Sequence, residues 1–167
     1  MDLDNLLKQL DKNDHWIQNV DVKLSIILTF YGVLSGFIIS QDNFATLMKY
    51  ENTYIKWLMV ALLGLTTLFL VIGIIWALIG MVATLKNPNR GLWFFADVAK
   101  YTDVSNFKRF KRQETEDELK ESILDQIYLT AKIATIRFKC YNKSLVSAKW
   151  SIIFFIAFQI AKFFSIL

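Results

Sequence analysis

The chain has 167 residues, room for one domain, and 54% of them are hydrophobic against 20% charged, with a formal net charge of +4. That apolar share exceeds what one soluble core of this size buries, so an ordinary water-soluble globule is excluded and the surplus, gathered in long uncharged runs, points to lipid. A single cysteine, Cys140, excludes an intramolecular disulfide framework, and nothing beside it marks it as a nucleophile.

Leu3, Leu10, Ile17 and Leu24 recur at heptad spacing, with Leu6, Leu7 and Val20 beside them. The pattern predicts an amphipathic helix over 2–23 that feeds into the first apolar run. Such a stripe needs a partner, which is either a later helix of the same chain or a second copy through a heptad seam. His15, beside Trp16, reads as a surface residue. Asp2, Asp4, Asp11, Asp14 and Asp21 all precede the first apolar run, which is not the pattern of a cleavable signal peptide.

Residues 24–41 are free of charge between Lys23 and Asp42, at the short end of the spanning range, and read as a first transmembrane helix. Residues 57–85 carry no charge at all and read as a second. Gly32 and Gly36 form a GxxxG in the first span, and Gly73, Ala77, Gly80 and Thr84 put small residues along one side of the second. Small residues let helices approach closely in lipid, so Gly32, Gly36, Gly73 and Gly80 are predicted helix-packing positions, serving either contact between the two spans or assembly of several copies into a homo-oligomer.

Asn87, Pro88, Asn89, Arg90 and Gly91 form a breaker cluster that ends the second span by turn chemistry. The following LWFFADVAKY, at 92–101, would put Trp93 and Phe94 at headgroup level. Phe94 and Phe95 serve there either as interfacial or core anchors or as a stacking seat for a nucleobase. Lys108, Arg109, Lys111 and Arg112 are interleaved with Phe107 and Phe110. This cluster can meet anionic lipid headgroups, or its guanidinium groups can take a phosphate, whose oxygens match their fork geometry.

Thr115 and Glu118 have capping-box spacing and open a helix whose apolar positions include Leu119, Ile123, Ile127, Ala131, Ala134, Phe138, Tyr141 and Leu145. Nothing breaks it before the end, which predicts a nearly continuous helix over about 116–166, roughly 75 Å long at 1.5 Å per residue. Its stripe is the natural partner for the N-terminal helix. Residues 150–167 are apolar apart from Gln159 and Lys162 and read as a third span, with Lys162 snorkelling to the far interface; a helix lying at the interface or packed on a partner is the alternative.

The fold class is therefore an all-α membrane protein. It comprises a cytoplasmic amphipathic helix (1–23), two transmembrane helices with a short external loop (24–85), a basic helical cytoplasmic region (86–149) and a long C-terminal helix entering a third transmembrane span (150–167). Thirteen of the nineteen Lys and Arg lie in 86–149, which the positive-inside rule places in the cytoplasm together with the N-terminus. A bacterial inner membrane, or that of a similar organelle, fits. The sequence has no Walker loop, no GxGxxG, no His/Cys cluster at metal spacing and no nucleophile triad, so an enzyme is not expected, nor a metal or cofactor. No carboxylate interrupts the two long spans, which disfavours ion-coupled transport.

The order of these features resembles the Pycsar transmembrane effectors (PycTM) of bacterial anti-phage defence, within the wider SLATT-like small membrane effectors. The resemblance covers most of the chain: two spans, an Asn-Pro turn, FFADVAKYTDVSNF at 94–107, and LDQIYLTAKIATIRFKCYNKSLVSAKW at 124–150 before a final hydrophobic helix. The second phrase is the more specific, with Asp125, Gln126, Ile127, Ala131, Ile133, Phe138 and Lys139 at the expected places. Ala96 stands where the family often has glycine. The resemblance implies a receptor for cyclic CMP or cyclic UMP made by a partner cyclase, which impairs the inner membrane and brings about abortive infection. It implies no polymeric nucleic acid. A singly charged cyclic phosphate needs basic donors and an apolar or aromatic seat for its base, and Phe94, Phe95, Lys108, Arg109 and Arg112 are the candidates. The competing readings are a membrane effector gated by another defence nucleotide and a non-catalytic membrane scaffold.

Overall fold

The structure is a computed structural model and describes residues 2–40, 53–82, 103–113 and 115–164. The described residues form four helices: α1 (Leu3–Ile39), α2 (Thr53–Val82), α3 (Val104–Gln113) and α4 (Glu116–Phe164). The Asn-Pro breaker and the phrase around Ala96 lie outside the described residues. The chain divides into two compact units, Met1–Val20 with Ala83–Arg137, and Asp21–Val82 with Phe138–Leu167.

In the first unit the N-terminal stripe is met by α4. Leu6 and Ile123 are fully buried, Ile127 nearly so, and Leu3, Leu10 and Leu119 pack around them. Asn13 adds a polar lock: its Nδ2 donates to the Ile127 carbonyl at 3.0 Å and to Thr130 Oγ1 at 3.2 Å. Leu6 beside Ile123 and Asn13 beside Thr130 make the two helices parallel here, because both residue numbers rise together. Three expected positions fall elsewhere: Leu7 on α1 and Ala131 and Leu145 on α4 are exposed, and a step of four residues, which turns a helix 40° past a full turn, carries Ala131 away from the Ile123–Ile127 face.

The capping box at the start of α4 forms as its spacing predicts. The Thr115 N–H donates to Glu118 Oε2 at 2.8 Å, and the Glu118 N–H donates back to Thr115 Oγ1 at 3.4 Å. From there α4 runs unbroken to Phe164.

The second unit is a three-helix core. Leu24, Ile27, Tyr31, Leu34 and Ile38 of α1, at spacings of three and four, face Met59, Leu63, Leu70 and Ala77 of α2 and Ala148 and Phe158 of α4. Hydroxyl groups join the helices where no hydrophobic force does so in lipid. Tyr31 Oη donates to the Ser144 carbonyl at 2.6 Å, Ser144 Oγ to the Gly73 carbonyl at 2.9 Å, and Ser151 Oγ to the Thr66 carbonyl at 3.0 Å. Ser144 opposite Gly73 and Ser151 opposite Thr66 make α2 antiparallel to α4. Lys23 Nζ lies 5.6 Å over the Phe138 ring, and with Tyr31 against Ser144 it makes α1 parallel to α4.

Much of the outside of this unit is apolar: Val33, Phe37, Leu68, Val71, Ile75, Leu78, Ile156 and Ile160 are all exposed. An apolar exterior on helices of this length is the mark of a lipid-facing surface. α1, α2 and α4 are each long and apolar enough to cross a membrane. The chain is an all-α membrane protein.

Candidate functional site

α3 is short and strongly two-sided. Asp103 caps it, accepting the Ser105 N–H on Oδ1 at 3.2 Å and the Ser105 hydroxyl on Oδ2. Those hydrogen bonds, the hydroxyl's first, hold the Asp103 carboxyl below the usual carboxylate range. The helix then presents Ser105, Lys108, Arg109, Arg112 and Gln113, spaced by three and four and hence on one face, around a hollow of about 380 Å³. Lys111 and Arg112 fall in its last turn, where cations are favoured by the helix dipole.

Three of the five ligand-site residues expected from the sequence, Lys108, Arg109 and Arg112, therefore line one hollow. Phe94 and Phe95 lie outside the described residues. Ser105 and Gln113 were not among the expected residues, although the spacing of four from Arg109 in each direction would have pointed to them. A hydroxyl, an amide and three cationic groups on one face supply hydrogen-bond donors and positive charge without a carboxylate among the lining residues. That is a setting for a small anion carrying a phosphate. Among the described residues no group of His, Cys, Asp and Glu could hold a metal ion.

The four helix-packing glycines separate into two pairs. A Cβ on Gly73 would overlap the Tyr31 side chain, and one on Gly80 would stand 3.0 Å from Cys140 Cβ and 3.1 Å from Leu24 Cδ1. Both let other helices close onto α2. Gly32 and Gly36 face open space, with nothing within 4 Å of a built Cβ. Among the described residues the GxxxG of α1 therefore makes no close contact. Cys140 is a buried free thiol packed at Gly80.

Three span-long helices and an apolar exterior define a small α-helical membrane protein. The chain belongs to the PycTM family, the Pycsar effector protein domain, whose family model matches residues 5–163. It is 28% identical to the Pycsar effector protein GmPycTM of Gulbenkiania mobilis, over 83% of this chain and 82% of that protein. No solved structure matches the chain.

Proposed function

We propose that this protein is the non-catalytic membrane effector of a Pycsar anti-phage system, activated by cyclic CMP or cyclic UMP from a partner cyclase, and that activation impairs the bacterial inner membrane and arrests the infected cell. The family match over residues 5–163 carries the reading. The excess of Lys and Arg in 86–149 favours a cytoplasmic location for that region and for the N-terminus, where a nucleotide made in the cytoplasm is available.

The basic face of α3 is the proposed receptor. Arg109 and Arg112 take the cyclic phosphate with their planar forks, Lys108 adds charge, and Ser105 and Gln113 offer hydrogen bonds to the pyrimidine edge or ribose. Phe94 and Phe95 remain the proposed aromatic seat for the base. Arginine and lysine charge alone does not choose between pyrimidines and purines, so the choice falls to the groups that meet the base edge.

Activation is a population shift. Ligand on the cytoplasmic helices favours one arrangement, and α4, a single helix from Glu116 to Phe164, carries the change toward the membrane. Moving the population from 1% to 99% active requires the ligand to prefer the active arrangement by about 5.5 kcal/mol. The active species is a homo-oligomer.

The direct test is titration of the purified full-length protein with cyclic CMP, cyclic UMP, cyclic AMP and cyclic GMP by calorimetry. Saturable binding of a pyrimidine nucleotide, weakened at least tenfold by Arg109→Gln with Arg112→Gln, supports the proposal. Equal binding of all four, or of none, contradicts it.

A further inference from the structure

One buried hydroxyl on α4 is left out of the hydrogen bonding that engages the others. Of the six serine and threonine side chains on this helix, Thr130, Thr135 and Ser147 donate to the carbonyl four residues back, and Ser144 and Ser151 donate to carbonyls of α2. Ser122 is the exception: its Oγ is buried and has no partner among the described residues. One turn further along stands Gln126, only 6% exposed, whose side-chain amide likewise has no hydrogen-bond partner among the described residues.

Residues four apart share a helix face, so these two polar groups are neighbours. They flank the seam with α1 without joining it, because Ile123 and Ile127, which pack with Leu6, each come one position later and about 100° round the helix. Asn13 shows what the first unit does with an amide that joins helices: its side chain reaches both the Ile127 carbonyl and Thr130 Oγ1. A polar group buried without a partner costs stability, and the few that native structures keep call for a functional explanation.

The chemistry of the pair names the ligand. Neither group carries a charge, so this is not a second anion seat. A glutamine amide presents a donor and an acceptor side by side, which matches the paired acceptor and donor on the N3–C4 edge of cytosine or uracil, and a serine hydroxyl beside it can donate or accept. Ser122 and Gln126 belong to the same compact unit as α3, and only Glu114 and Thr115 stand between the end of α3 and the start of α4.

We propose that Ser122 and Gln126 read the pyrimidine edge of the activating nucleotide while the basic face of α3 holds its phosphate, an inference that rests on the receptor reading above. Ser105 and Gln113 are then left for the ribose. A base that cannot meet both groups leaves one of them buried and unpaired, and a site built on hydrogen bonds rejects an unmatched ligand for that reason. The placement also gives the nucleotide a hold on α4, the helix that runs on to Phe164. A ligand shifts only an equilibrium between states that it contacts differently, and contact with α4 supplies that difference.

The test is calorimetric titration of the detergent-solubilised full-length protein with cyclic CMP and cyclic UMP, comparing wild type with Ser122→Ala plus Gln126→Leu. The thermal midpoint of each is measured without nucleotide. The double variant should bind the pyrimidine nucleotide at least tenfold more weakly, while its midpoint stays equal or rises, because unpaired buried polar groups have been removed. Ser122→Ala with Gln126→Met, which keeps the length of the side chain, should behave alike and guards against a packing effect. Binding equal to wild type overturns the proposal, the two groups then being satisfied by water. A midpoint lowered by several degrees in both variants also overturns it, since Ser122 and Gln126 then hold the fold. Absence of nucleotide binding by the wild-type protein is the separate outcome that sinks the receptor reading and this inference with it.

Discussion

Gly73 is the floor on which the Tyr31 ring rests: a methyl group at residue 73 would occupy the space of the Tyr31 hydroxyl and its Cζ. The same contact lets Tyr31 Oη reach the Ser144 carbonyl at 2.6 Å and Ser144 Oγ reach the Gly73 carbonyl at 2.9 Å, so three helices meet at one point. Gly73→Ala should destabilise the second unit by about 1–3 kcal/mol, the usual cost of overpacking. Gly36→Ala, facing open space, should change stability by less than about 0.5 kcal/mol. Resistance of the detergent-solubilised protein to heat and to proteolysis separates the two variants.

Asn13 joins α1 to α4 through the Ile127 carbonyl and Thr130. Asn13→Ala should weaken the pairing in the first unit by about 1 kcal/mol, the net worth of an intramolecular hydrogen bond of this kind. The effect should appear as faster amide hydrogen exchange around Leu6, Leu10 and Ile123, with the second-unit helices unchanged.

The cap of α4 titrates. Glu118 accepts a hydrogen bond from the Thr115 N–H and another from its hydroxyl, and these hold its carboxyl below the usual value near 4.5. A carboxylate whose folded value is depressed contributes stability that is complete above its unfolded value and is lost as pH falls through the folded one. Helicity of the first turns of α4 should therefore decline below about pH 4.5, and Glu118→Gln, which keeps an acceptor but no charge, should flatten that decline. Asp14 has the opposite sign: burial first, then Asp11, raises its carboxyl, so protonation as pH falls favours the folded state. Asp14→Asn should stabilise the first unit slightly at neutral pH. Circular dichroism and exchange between pH 3 and 7 check both.

Replacing Arg109 and Arg112 with glutamine should leave membrane insertion intact, because α3 is not among the helices long and apolar enough to cross a membrane, yet raise the nucleotide concentration needed for growth arrest at least tenfold. The loss of one charge-assisted hydrogen bond per arginine, about 1.5–3 kcal/mol each, is enough for that. Growth curves with graded cyclase expression measure it.

The periodic parts of this architecture could be read from the sequence. Leu3, Leu6 and Leu10 on α1 and Leu119, Ile123 and Ile127 on α4 carry complementary stripes that do meet, and Thr115 with Glu118 marked the start of α4. The polar joints were not legible. Ser144 and Ser151 sit in an apolar run where a hydroxyl looks the same whether it bonds its own helix or a neighbour's carbonyl, and Asn13 lies among charged residues of the solvated face. The glycines show the same limit from another side: Gly32 with Gly36 has the stronger motif spacing, but Gly73 and Gly80 make the contacts, because the choice depends on which face the other helices cover. On α3 the cationic residues stood out by charge, whereas Ser105 and Gln113 join them only once helical phase is known.

The most direct test of the account is membrane potential in bacteria making this protein, with cyclic CMP, cyclic UMP, cyclic AMP or cyclic GMP each supplied by a co-expressed cyclase. The account predicts rapid depolarisation with a pyrimidine cyclic nucleotide and none with the purine ones. An unchanged potential with every nucleotide, in cells where the protein is verified in the membrane, would contradict it.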